Sequence, residues 1–307
     1  MTMTMNKPTK QQPLVISMGE VLWDLFPAGP SFGGAAANFA CHAAALGTRA
    51  VIVSAVGHDA NGNQAREILA MLGVDLGLLQ MVSNWPTGSV TVSLDAAGKP
   101  SFTINEDAAW DHLSWSAELA ATIAAADALY FGTLVQRGVE SRGTIRRALA
   151  LAKDAGVPRV LDVNLRPPFF DDAMIRESIR WCSTLKLSDE EYPAVIAACE
   201  IPAMAGVVAS LRILLERYGI DLVALTRGAD GALLVSRDEV IDQSGIATEV
   251  CDTVGAGDAF TAALVTGLLA GNPLTSIALH ACETAALVCS QPGAVPQSSG
   301  GRFTAPP

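Results

Sequence analysis

Short apolar runs at 14–18, 50–55, 128–131, 160–161, 185–187 and 222–225 alternate with stretches of helical composition, among them 36–46, 64–72, 144–155 and 207–218. A run with no polar face must be buried on both sides. A helix between successive runs lets the chain return to the same end of a sheet and pair in parallel. The repetition therefore predicts an α/β fold whose mostly parallel sheet is covered by helices on both faces. Gly47, Gly73, Gly156 and Gly219 each stand just past a helical stretch, where a left-handed residue commonly ends a helix.

One segment departs from this pattern. Residues 89–95 (SVTVSLD) alternate polar and apolar, turn through 96–99, and return as 101–105 (SFTIN). This is a β-hairpin with Val90, Val92, Leu94, Phe102 and Ile104 on one face. An isolated hairpin is marginal in water, so its apolar face must cover a ligand, the main sheet or a second subunit. The expectation is a small β-sheet lid built from elements around 20–35 and 86–108, with a homodimer through paired lids as one use of that face.

Composition limits the rest. The 307 residues are 50% hydrophobic and 17% charged, which suits one large core over 13–307. Residues 1–12 are polar, without the apolar segment of a signal peptide, and read as a disordered tail. A net charge of -11 argues against a nucleic-acid backbone or an anionic membrane as partner. The apolar stretch at 117–135 is interrupted by Glu118 and Asp127, so no membrane span is expected. The six cysteines include no C-x-x-C pair and read as buried reduced thiols, which fits a cytoplasmic protein.

The chemistry lies in a few turns. Asp252-Thr253-Val254-Gly255-Ala256-Gly257-Asp258 opens an Ala/Leu-rich helix. Backbone N–H groups at such a start are unpaired, and the helix dipole adds positive charge, so the turn suits an anion. With the cap expected at Asp252 or Thr253, Asp258 is left to handle a proton beside that anion. Gly33-Gly34 leads into Asn38, whose amide can both donate to and accept from a hydroxyl-rich ligand. Asp24, expected in the loop after the first strand, can take two sugar hydroxyls or be a surface acid. Arg166, in Asp162-Val163-Asn164-Leu165-Arg166, offers a planar fork for phosphate or carboxylate.

Lys186-Leu187-Ser188-Asp189-Glu190-Glu191 ends another strand. Ser188 and Glu191 have capping-box spacing, or else Glu191 orients a hydrated Mg2+. Thr226, Gly228 and Gly231 lie in a tight turn between strands, on which a nucleotide could also rest. The four histidines lack metal-ligand spacing and receive no role. Neither G-x-x-x-x-G-K-[ST] nor an early G-x-G-x-x-G occurs, which excludes a P-loop enzyme and weighs against a dinucleotide dehydrogenase.

In order and spacing these stretches resemble the ribokinase-like sugar kinases, the PfkB family, over about 14–296. The resemblance implies a three-layer α/β sandwich with a β-sheet lid, and ATP-dependent phosphorylation of a small sugar. It implies Asp258 as the base, Gly255, Ala256 and Gly257 as the anion hole, and Asp24, Gly34 and Asn38 at the sugar, where Gly33 and Arg166 are expected to join them. It places Thr226 and Gly228 in the nucleotide-binding segment and gives Glu191 to Mg2+ through water; Lys186, Ser188 and Gly231 are expected at ATP as well. Ser188 stands where the family usually has asparagine. Several relatives also bind K+ beside the anion hole, at places matching Asp252, the Val254 backbone and the turn at 290–294. Gly19-Glu20-Val21-Leu22-Trp23-Asp24 and the Ser188–Glu191 segment look most like fructokinases. A kinase of 2-keto-3-deoxygluconate, ribose or a nucleoside, and a catalytically silent sugar-binding member, stay open.

Overall fold

Every apolar run picked out in the sequence is a strand of one nine-stranded sheet. The computed structural model describes residues 12–27, 29–94, 100–202 and 206–295. The expected tail, apart from Gln12, and the hairpin turn at 96–99 lie outside them. The strands are β1 (Leu14–Met18), β2 (Leu22–Phe26), β3 (Gly29–Gly33), β4 (Arg49–Gly57), β5 (Leu79–Val82), β6 (Gly88–Leu94), β7 (Pro100–Ile104), β8 (Ala128–Gly132), β9 (Arg159–Asp162), β10 (Thr184–Ser188), β11 (Leu222–Thr226), β12 (Ala232–Ser236) and β13 (Val240–Gln243). The α-helices are α1 (Ala35–Ala45), α2 (Ala60–Met71), α3 (Ala117–Ala124), α4 (Val139–Asp154), α5 (Asp172–Trp181), α6 (Tyr192–Ala198), α7 (Val207–Tyr218), α8 (Ala256–Ala270) and α9 (Leu274–Cys289).

The large sheet runs β13-β12-β11-β10-β9-β8-β1-β4-β5. From β11 to β5 all pairings are parallel, and β12 and β13 add an antiparallel edge. Side chains alternate between its faces. Ile16, Val53, Phe131, Leu161 and Leu187 join α3 to α7 in one core. Val15, Ile52, Tyr130 and Val160 pack with α1, α2 and α8, and Leu222 and Leu234 with α8 and α9. Helices on both faces make the expected three layers. The four glycines expected at helix ends adopt positive φ, with Gly219 the left-handed cap of α7.

The second sheet has four strands in the order β3-β2-β6-β7. The β6–β7 hairpin has the expected antiparallel register, Val90 opposite Ile104 and Val92 opposite Phe102. A parallel β2–β6 pairing joins it to the β2–β3 hairpin. Asp24 is thus not in a loop, as the sequence suggested, but in the middle of β2, opposite Ser31 and Val90. Val90 and Val92 are buried within one chain, and Ile104 on the same face is partly buried. All six cysteines are free thiols; four are buried, but Cys251 is exposed, against expectation. Among the described residues no helix is long and apolar enough to cross a membrane.

Candidate active site

The carboxyl ends of the parallel strands converge on the start of α8. Gly255 is the helix's N-cap residue, at φ 80 with no side-chain cap. A Cβ on Gly255 would stand 2.3 Å from the Ala294 carbonyl oxygen, so both conformation and space demand glycine. The cap expected at Asp252 or Thr253 is not formed. Asp252 instead accepts the Val254 amide on Oδ1 and the Gly293 amide on Oδ2, each at 3.0 Å, tying the loop before α8 to the turn after α9. His42, given no role from sequence, is buried on α1 and meets the Ala294 oxygen through Nε2 at 3.0 Å. Burial holds its imidazole below its usual pKa, hence neutral, with Nε2 the donor.

Asp258, in the first turn of α8, is half-buried. Its carboxyl is pushed up to about 7, first by burial and then by the charge of Asp162; the Asn38 hydrogen bond and Lys186 oppose this. The Asn38 amide Nδ2 donates to Asp258 Oδ2 at 2.9 Å across 220 residues of sequence. Asn38 itself is buried, and its Oδ1 has no partner among the described residues. An unmet buried acceptor is costly, and a ligand hydroxyl would satisfy it. The two glycine turns singled out separately in the sequence therefore form one site.

Gly34 has φ 107, and a Cβ there would lie 2.5 Å from the Glu20 carbonyl oxygen, so α1 can start this close to β1 only with glycine. Asp24 lies over Gly33, whose Cβ would be 3.0 Å from Asp24 Oδ2. Burial raises the Asp24 carboxyl, and Arg166, exposed at the end of the β9 loop, partly offsets this. Glu20 was missed from sequence. It is buried after β1, accepts the Ala35 amide on Oε1, and is raised mainly by that burial. The signal for it was its place directly after a strand, the argument used for Asp24.

On the other side of the α8 turn, buried Lys186 contacts both oxygens of Asp162 at 3.1 Å. A Cβ on Gly257 would be 3.0 Å from its Nζ, so the ammonium sits against the turn. Burial pulls Lys186 down, but Asp162, Glu191 and Asp258 outweigh it and hold the amine above its usual range, hence charged. Glu191 accepts the Leu165 amide on Oε1 and the Ser188 amide on Oε2, both at 2.8 Å. The Glu191 amide bonds back to Ser188 Oγ at 3.2 Å. This is the reciprocal pattern of a capping box, but it closes the turn ahead of α6. Ser188 is the last residue of β10 and not the N-cap, a position that Glu191 occupies.

Among the described residues no group of three His, Cys, Asp or Glu side chains is poised around a metal. The lone pairs left on Glu191 suit a hydrated Mg2+ that keeps its waters. Thr226 ends β11, and exposed Gly228 follows at φ 52. Gly231 is different: a Cβ there would meet Gln243 O at 2.1 Å and Gly245 N at 2.5 Å. That backbone crossing accounts for glycine without a nucleotide.

Residues 29–299 match the pfkB family carbohydrate kinase. The chain belongs to the PfkB family. It is a sugar kinase, a phosphotransferase acting on an alcohol group. It is 30% identical over 301 residues to a fructokinase of Salmonella typhimurium, covering 94% of this chain and 95% of that protein. A fructokinase of Vibrio cholerae O395 with fructose, ADP and calcium bound superposes with TM-score 0.79 at 25% identity, over 92% and 95% of the two chains. An uncharacterized sugar kinase of Pyrococcus horikoshii in complex with ATP gives 0.76 at 28%, over 92% and 94%.

Proposed function

We propose that this kinase phosphorylates fructose with ATP, Asp258 acting as base and the amides of Gly255, Ala256 and Gly257 as anion hole. The observation that carries the reading is the Asn38–Asp258 hydrogen bond. It ties the group beside the anion turn to a residue that still lacks a partner for its own Oδ1. Asp24, Gly33, Gly34, Asn38 and Arg166 would hold the sugar. Its hydroxyl oxygen forms the bond to the γ-phosphorus as the bond to the β,γ-bridging oxygen breaks. Asp258 takes the hydroxyl proton, and ADP leaves.

Phosphoryl transfer is largely positioning and charge stabilisation. Among the described residues the amides of Gly255 and Gly257 have no backbone partner and would face the transferring group, while the Ala256 amide donates to the Thr253 carbonyl at 3.3 Å and would exchange that bond for the phosphoryl oxygen. Lys186 adds a buried positive charge beside them. Ser188, Thr226 and Gly228 would line the nucleotide, with Gly231 shaping the turn. Mg2+, when bound, neutralises charge on the triphosphate, and Glu191 would hold its waters. Asp252, the Val254 backbone and the turn at 290–294 lie side by side and suit a monovalent cation such as K+. Six free thiols support a reducing cytoplasmic setting.

A base poised near neutrality predicts a pH profile. A group must be ionised to accept a proton, so kcat/KM should rise with pH through a limb at about 7. The Asn38 bond favours the carboxylate, so Asn38→Ala should move that limb upward; an unmoved limb would count against Asn38 as the group that tunes the base. A panel of fructose, ribose, 2-keto-3-deoxygluconate and nucleosides with ATP, read as ADP release, tests the substrate. Fructose should give the highest kcat/KM. Exposed Arg166 favours the acidic sugar as second reading, and preference for it by tenfold or more would replace the first, roughly the weight of one charge-assisted contact.

A further inference from the structure

Of the buried carboxylates that the mechanism leaves unused, Asp162 lies against the start of α8. Asp162 is the last residue of β9 and only 1% exposed. Its parallel neighbour in register is Lys186 of β10, whose Nζ contacts both carboxylate oxygens at 3.1 Å. From the other side comes Thr261 of α8, fully buried, whose single hydroxyl proton is shared between Asp162 Oδ2 at 3.2 Å and the Gly257 carbonyl oxygen at 2.8 Å. Asp162 thus touches the first turn of α8 twice: through Thr261 to the Gly257 carbonyl, and through the ammonium that lies against the Gly257 α-carbon.

Stability alone is a poor reason for this arrangement. Burying an ion pair costs desolvation that a well-packed apolar pair avoids. The neighbours on α8, Ala259, Phe260, Ala262 and Ala263, show that this interface accepts apolar side chains. What an apolar pair cannot give is fixed orientation, because hydrogen bonds are directional and dispersion contacts are not.

We propose that Asp162 is a positioning residue that, through Thr261 and Lys186, moors the first turn of α8 to the carboxyl end of the sheet and so fixes where the phosphoryl group and Asp258 meet. This rests on the kinase reading above. Its charge also acts on the base, standing second to burial among the causes that raise Asp258.

Thr261→Val and Thr261→Ser separate mooring from packing. Valine keeps the shape and loses the hydroxyl; serine keeps the hydroxyl and loses a methyl. Thr261→Val should lower kcat roughly 10²-fold with the sugar KM within roughly threefold, while Thr261→Ser stays within roughly threefold of wild type in both. Amide hydrogen exchange in the first turn of α8 should be faster in Thr261→Val than in Thr261→Ser. Wild-type kcat in Thr261→Val overturns the proposal, as does an equal fall in both variants, which would mean packing alone. If wild type phosphorylates none of the panel, the kinase reading fails separately. The exchange comparison then decides the mooring, and equal protection in the two variants overturns it.

Discussion

Asp258→Asn is expected to cut kcat by about 10²–10⁴, the usual weight of a positioned general base, while ADP affinity stays nearly unchanged. Asparagine fills the same space and can still meet Asn38, but it cannot take a proton. Turnover within about tenfold of wild type would remove Asp258 from the role of base. The same substitution has a stability signature of definite sign. Burial pushes the native carboxyl up to about 7 from its ordinary 3.8, so the native state binds more protons between those values. Stability therefore falls as pH rises through that window, the cost of ionising a half-buried group beside the charge of Asp162. Asp258→Asn removes the cost. Its Tm should exceed that of wild type at pH above the window, and the gap should narrow as pH falls toward 3.8. A gap that widens toward acid pH would contradict the perturbed carboxyl.

Gly257→Val is expected to lower kcat/KM by at least about 10², comparable to losing one donor from a hole that stabilises developing charge. The Cβ position already lies 3.0 Å from Lys186 Nζ, so a branched side chain must displace the ammonium from Asp162 or push the turn away from its ligand. Gly271→Ala serves as the control at the other end of α8. Gly271 has φ 73 and open space around its Cβ, so alanine there strains the backbone without touching the site. Lower Tm with unchanged kcat is expected for Gly271→Ala, and lower kcat for Gly257→Val. Full activity in Gly257→Val would refute the placement of the anion hole.

What the sequence carried, and what it hid, follows from how each signal arises. Short two-sided apolar runs and terminal glycines are local, so the parallel sheet and its helix ends were legible, as were the two glycine turns. The β2–β3 hairpin was not: Gly29-Pro30 at the start of β3 suppresses any strand signal, and this moved Asp24 from an edge sheet into a presumed loop. The cap of α8 was misplaced because Asp252 has the right chemistry for capping but is drawn to Gly293, 41 residues away. Lys186 lies within a run read as a buried strand and was given to ATP, while Asp162 received no role; only the register of β9 with β10 shows them buried as a pair. His42 and Glu20 were passed over for a related reason, since their partners, Ala294 O and Ala35 N, are backbone atoms that sequence does not mark.

On this account two turns far apart in sequence would form one site where a sugar hydroxyl receives the γ-phosphoryl group of ATP. Phosphorus NMR of wild type and Asp258→Asn, each incubated with ATP, Mg2+ and fructose, tests it most directly. A sugar phosphomonoester resonance growing in step with ADP in wild type, and nearly absent in Asp258→Asn, is the predicted result. ADP appearing with inorganic phosphate alone, or the same phosphomonoester yield from both proteins, would contradict it.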